Sequence, residues 1–190
     1  MLFGIPHTEK RRWEATNRIL DLSKVFKVPQ NDIMVAGGFA RDMALQLEPT
    51  DIDIYMFTPN VKEETFLTAF IYAAFDDVDD VVEKSADKPG YVNSSIYKVY
   101  GVTFTDKDVL PLDIIFIKKN PLDIPELKDA EYCIKEAVLP FGCNMSNAYL
   151  DKGGRIYVEE DFLEGALNKT VEHSPMMMDS YRAKLSEISG

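Results

Sequence analysis

The chain has 190 residues, 46% hydrophobic and 28% charged, ordinary values for a soluble chain of one domain, or one domain with a small appendage. Thirty-two acidic against 21 basic residues leave a net charge of −11, which argues against a firm grip on a long polyanion, because such binding rests on Lys and Arg neutralising phosphates. No run approaches membrane-spanning length, the N-terminus lacks a signal-peptide core, and Cys133 and Cys143 make no metal pattern with His7 and His173. A reduced, cytoplasmic protein without membrane contact is expected.

Thr8 to Val28 reads as a helix, capped by Thr8, with Trp13, Leu20 and Phe26 near helical spacing and Pro29 as its stop. Its Lys10-Arg11-Arg12 cluster, the densest positive patch, reads as a solvated first turn. Apolar Ile33 to Ala36 then predicts a short buried strand, bounded by Gly37-Gly38. Phe39 to Leu47 has helical spacing and Glu48-Pro49 ends it. A glycine pair between strand and helix lets backbone N–H groups approach a phosphate, which a helix N-terminus also favours.

The following strand opens with Asp51-Ile-Asp53-Ile54. Alternate residues point the same way, so Asp51 and Asp53 share one face, roughly 7 Å apart along the strand. The rest of that strand is Ile, Ile, Tyr, Met and Phe, a core composition in which carboxylates are costly unless a metal or partner neutralises them. Phosphate cradle and paired carboxylates together point to phosphoryl or nucleotidyl transfer.

Further on, Asn60 and Glu63 form a capping-box pattern before a helix with the apolar stripe Phe66, Leu67, Phe70, Ile71 and Ala74. Asp76-Asp77-Val78-Asp79-Asp80 reads as a solvated acidic loop, without the glycine and glutamate of an EF-hand. Tyr91 to Phe104 has strand composition broken near Gly101, and Val109 to Ile117 forms a strand whose one charge is Asp113, alternating with Ile115 and Ile117. Pro121 to Val138 suggests a loop and a helix. Asn147 to Leu167 carries an Asp151-Lys-Gly-Gly154 turn and an acidic helix, and Ser174-Pro175 starts a last helix holding Asp179 and Arg182.

The Gly37-Gly38-x-x-Arg41-Asp42, short helix, Asp51-x-Asp53 pattern resembles the signature of the DNA polymerase β-like nucleotidyltransferases. It is most similar to the head domain of tRNA CCA-adding enzymes and bacterial poly(A) polymerases. The resemblance implies that Asp113, in Leu112-Asp113-Ile114, completes the metal site of Asp51 and Asp53. It also places Arg41 with Asp42 in orienting the site, Asn147 in a nucleotide-holding segment, and Asp179 with Arg182 at the edge of the incoming base. The chain departs from that family where an Arg-Arg-Asp-Phe-Thr stretch is replaced by Phe141 to Met145, and where Met178 replaces a glutamate.

The expected fold is α/β (α+β), the nucleotidyltransferase fold: a mixed, twisted sheet with helices packed on one side and a small C-terminal helical appendage. Residues 1–167 form the head domain and 168–190 a neck-like helix, the head standing alone. The expected activity moves a nucleoside monophosphate from a nucleoside triphosphate such as ATP to a hydroxyl, releasing pyrophosphate. Two Mg²⁺ ions, or Mn²⁺ in their place, are held by Asp51, Asp53 and Asp113, and Gly37 and Gly38 cradle the triphosphate. The acceptor stays open between an RNA 3′ end and a protein or small molecule, and a non-catalytic binding module is the further alternative.

Overall fold

The computed structural model describes residues 7–28, 32–57, 66–84, 96–117 and 147–169. In chain order these form α1 (His7–Phe26), β1 (Ile33–Ala36), α2 (Gly38–Ala44), β2 (Ile52–Phe57), α3 (Leu67–Ala74), β3 (Val78–Lys84), β4 (Ile96–Phe104), β5 (Leu112–Ile117), β6 (Ala148–Leu150), β7 (Ile156–Val158) and α4 (Glu160–Asn168). The strands make one sheet in the order β3-β4-β5-β2-β1-β6-β7. β2 and β5 run parallel and the other pairs antiparallel, so the sheet is mixed, as expected. No helix among the described residues is long and apolar enough to cross a membrane.

Strand alternation divides the sheet into two faces. Ile52, Ile54 and Met56 of β2 and Leu112, Ile114 and Phe116 of β5 point into a core shared with Ala15, Ile19 and Leu22 of α1, Phe39, Ala40 and Met43 of α2, Leu67 and Ile71 of α3, and Phe162 of α4. The described helices therefore all contribute to one side. The other face carries a smaller apolar cluster that includes Met34, Tyr55, Ile115, Ile117 and Tyr149. Asp53 and Asp113 belong to this second face by the same alternation.

The helical stripe of α1 differs from the expected one. Trp13 is 59% exposed and Leu20 also faces solvent, while Ala15, Ile19, Leu22 and Phe26 meet the core. Their spacing of four, three and four residues follows the helical period more closely than 13, 20 and 26. Arg11 is likewise not a solvated first-turn residue. It is buried, donating from Nε to Glu48 at 2.9 Å and from Nη1 to Glu14 at 2.8 Å and to the Asp108 carbonyl at 2.6 Å. Glu48 and Asp108 lie far off in sequence, so local pattern could not reveal them.

α2 stops earlier than Leu47, at Ala44, before Glu48-Pro49 can end it. Gln46 adopts a left-handed φ of 58°, the Gln46 N–H donates to the Met43 carbonyl and the Leu47 N–H to the Asp42 carbonyl. This pair of bonds is a Schellman stop, built without the usual glycine. The stretch expected as an acidic loop instead leads into β3, whose Val78 and Val81 lean on the core while Asp79 and Asp80 face water. β4 is continuous through Gly101, where a break was expected; the residues of 91–95, and Asn60 with Glu63, lie outside the described residues.

Asp77, just before β3, joins α1 to the sheet. Both its oxygens accept from Arg18, at 3.1 Å from Nη1 and 3.0 Å from Nη2. The same guanidinium lies 3.9 Å from the Phe104 ring centroid and 4.9 Å from that of Phe75, a charge-assisted bond reinforced by cation–π attraction. The Arg18 hydrogen bonds hold the Asp77 carboxyl below the usual carboxylate range. A depressed folded-state value contributes stability that is present above the unfolded value, near 3.9, and lost as pH falls through the folded one. Asp77→Asn is therefore expected to lower stability near neutrality and to lose less on acidification than the parent below about pH 4. Urea unfolding measured from pH 7 to 3 checks this, and parallel curves would refute it.

Candidate functional site

The glycine turn lies beside the start of β2, which runs next to the start of β5, and the carboxylates there belong to the sheet face away from the helices. β2 and β5 pair in parallel with Asp53 directly opposite Asp113. Adjacent strands lie about 4.8 Å apart, so two carboxylates from distant parts of the chain stand side by side. Asp113 is 8% exposed and Asp53 is half-buried. Such closeness of like charges in a poorly solvated place is unfavourable without a cation to offset it.

Asp51 stands two residues ahead of Asp53, just before β2 begins, and is exposed, its Oδ1 accepting from the Thr50 hydroxyl at 3.2 Å. The expected trio is thus a pair in register with a third carboxylate at its open end. Among the described residues, no cluster of three or more His, Cys, Asp or Glu side chains is gathered closely enough to hold a metal ion.

Gly37 supplies the wall beside Asp53. Its φ of 78° and ψ of −133° lie where a side chain is strained, and a Cβ there would stand 4.0 Å from the Asp53 carboxylate. The turn is anchored from both sides: the Gly37 N–H donates to the Ala148 carbonyl of β6 at 3.1 Å, and its carbonyl accepts from the Arg41 N–H at 3.0 Å. Next to it, a Cβ on Gly38 would lie 3.8 Å from Arg41 Nη2. Arg41 and Asp42, expected to orient the site, form a buried ion pair in which Nε and Nη2 both reach Asp42 Oδ1 at 2.7 Å.

Asn147 is buried, with its side-chain amide nitrogen donating to Asp161 in the first turn of α4 and its backbone carbonyl accepting from the Glu159 N–H. In the structure it braces the β6–β7 hairpin against α4. Asp179 and Arg182, and Phe141 to Met145, lie outside the described residues.

One residue at the site carried no signal in the sequence. Lys84, the last residue of β3, donates to both oxygens of Asp113, at 2.7 Å to Oδ2 and closer to Oδ1. It reaches across Gly101 of β4, which pairs with Asp113 in the β4–β5 ladder. A glycine inside a strand often marks a close approach, and Gly101 is the clue that could have been followed.

No protein-family model matches the chain, and no curated protein matches it. Solved structures do. A CCA-adding enzyme in complex with ATP superposes with a TM-score of 0.55 at 14% identity, over 86% of this chain and 34% of that one. A CCA-adding enzyme in complex with CTP gives 0.52 at 17% identity over 82% and 32%, and the Thermotoga maritima CCA-adding enzyme complexed with tRNA gives 0.53 at 13% over 83% and 31%. Identity this low shows the fold alone: the chain has the nucleotidyltransferase-like head fold found in CCA-adding enzymes. It spans about a third of the length of those chains.

Proposed function

We propose that the chain is a metal-dependent nucleotidyltransferase that moves a nucleoside monophosphate from a nucleoside triphosphate to a hydroxyl. The observation that carries this reading is the pairing of Asp53 with Asp113 in register, beside a Gly37 turn at which a Cβ would stand 4.0 Å from the Asp53 carboxylate. The donors are all carboxylate oxygens, the chemistry that Mg²⁺ or Mn²⁺ takes. Asp53 and Asp113, with Asp51 at the open end, would hold two such ions. Bound there, the ions supply charge neutralisation to the triphosphate and activation of the attacking oxygen.

In this reading the Gly37-Gly38 turn, its Gly37 N–H held by the Ala148 carbonyl, brings the backbone at the start of α2 up to the triphosphate, and the buried Arg41–Asp42 pair keeps α2 and its glycine turn in place. Asp113 accepts the proton of the attacking hydroxyl. The new oxygen–phosphorus bond forms at the α-phosphate, the bond to pyrophosphate breaks, and the pyrophosphate leaves with its electron pair. The same reading takes residues 1–167 as the head, with Asn147 in its nucleotide-holding segment, and 168–190 as a neck-like helix whose Asp179 and Arg182 would meet the base edge.

The structurally similar CCA-adding enzymes were solved with ATP, CTP and tRNA. By analogy with them, the first reading takes a nucleoside triphosphate and an RNA 3′ end as substrates. The net charge of −11 favours the second reading, a protein or small-molecule acceptor. Incubation with Mg²⁺ and each labelled triphosphate, against total RNA and total protein, tests the proposal; no label transfer to either, and none to small hydroxyl compounds, would refute it. Long RNA is expected to bind weakly and to be released as salt rises. A tRNA titration that stays tight above ~0.2 M salt would overturn the charge argument and return the acceptor to RNA.

A further inference from the structure

Lys84 does more than decorate a sheet edge. β3 is the outermost strand of its side of the sheet, and lysines on edge strands ordinarily point to water and discourage further pairing. Lys84 instead turns inward across β4. Val82 pairs with Gly101 and Lys84 with Val99, so Lys84 sits diagonally from Gly101 on the face that carries Asp113 and Asp53. Its side chain is one-third exposed and that of Asp113 only 11% exposed.

The route it takes exists because residue 101 is glycine. A Cβ at that position would come within 2.7 Å of Lys84 Cε and 3.4 Å of Nζ, but would stand 3.5 Å from Asp113 Oδ1, an ordinary contact. Gly101 therefore leaves a saddle that fits the lysine arm and no side chain of its own. The ammonium straddles both carboxylate oxygens of Asp113, the atoms a divalent ion would need.

We propose that Lys84 is a resident counter-ion of the carboxylate pair, which a divalent ion must displace from Asp113 in order to bind. The proposal rests on the nucleotidyltransferase reading and deepens it by naming the group that sets how readily the site takes its metal. An ammonium and a divalent cation cannot share two oxygens without repulsion, so each weakens the hold of the other. Lys84 offsets the Asp53–Asp113 repulsion in the metal-free protein and is released when metal arrives.

The test is Mn²⁺ binding to the full chain, read by electron paramagnetic resonance of free Mn²⁺ and by calorimetry, without any turnover. Lys84→Met is expected to bind Mn²⁺ about tenfold more tightly than the parent, a change of about 1.4 kcal/mol, while its metal-free form melts at a lower temperature. Lys84→Arg keeps a cation and is expected to resemble the parent. Gly101→Ala gives an independent arm: its new methyl group clashes with the flexible end of Lys84 while standing in ordinary contact with Asp113 Oδ1, pushes the ammonium off Asp113, and also tightens Mn²⁺ binding. In an Asp113→Asn background, Lys84→Met is expected to change Mn²⁺ affinity by less than twofold. Equal affinities for parent, Lys84→Met and Gly101→Ala, with Asp113→Asn weakening all of them, would overturn the displacement and leave the metal site standing. Mn²⁺ binding indifferent to Asp113→Asn would overturn both.

Discussion

Asp53→Asn is expected to reduce nucleotide transfer by on the order of a thousandfold or more, the scale on which removal of a group acting in the chemical step is felt. The substitution keeps size and shape and changes only charge and donor capacity. A carboxylate offers acceptor oxygens alone, whereas an amide presents two N–H donors to whatever cation should sit there. The fold should survive. Asp53 is half-buried in a strand whose core contacts come from Ile52, Ile54 and Met56, which the change does not touch. Removal of one negative charge beside Asp113 also relieves repulsion, so metal-free stability is expected to stay level or rise. Asp51→Asn should lower transfer too, since Asp51 is the third carboxylate of the proposed metal set. Labelled-triphosphate turnover and a thermal melt, measured on the same preparations, check both halves. Near-normal turnover by Asp53→Asn would remove the metal assignment from this strand pair.

What the sequence disclosed here was local, and what it hid was tertiary. The strand, glycine turn, helix and aspartate-led strand from Ile33 to Phe57 could be read because each piece is punctuated by its neighbours. The alternation Asp113, Ile115, Ile117 likewise fixed the face on which that carboxylate lies. β3 escaped because an edge strand wetted on both faces shows neither alternation nor an apolar run; four of the seven residues from Val78 to Lys84 are charged, with no clean period. Gly101 read as a break because glycine weakens strands, yet its missing side chain is what admits Lys84 to Asp113. Arg11 read as solvated because Glu48 and Asp108 come to it only through folding. The carboxylates were visible as candidates, but that Asp53 stands opposite Asp113 depended on the parallel β2–β5 register, which no short-range pattern specifies.

Asp42→Ala is expected to cost about 3 kcal/mol of stability or more, the range for breaking a buried ion pair by removing one partner. Arg41 is 3% exposed and directs both Nε and Nη2 to Asp42 Oδ1. Arginine cannot shed its proton at any pH the fold tolerates, so the orphaned guanidinium must be kept buried with fewer partners or drawn out through the core. The further interactions that Arg41 makes soften the loss without removing it. A surface pair gives the scale for comparison. Lys24 and Asp21 of α1 stand 3.8 Å apart with both side chains well exposed, and Asp21→Ala is expected to change stability by less than about 0.5 kcal/mol. In a domain of this size the Asp42 loss corresponds to a melting point roughly 10 °C lower. The consequence reaches the site as well, because α2 carries the Arg41 N–H that holds the Gly37 carbonyl, and Gly37 is the residue at which a Cβ would face the Asp53 carboxylate. Activity should therefore fall in Asp42→Ala even at temperatures where it remains folded. Arg41→Met with Asp42→Leu, which removes both charges, should recover much of the stability. Urea unfolding of the three variants decides the matter: an Asp42→Ala protein as stable as Asp21→Ala would show that the Arg41 charge is satisfied by other groups.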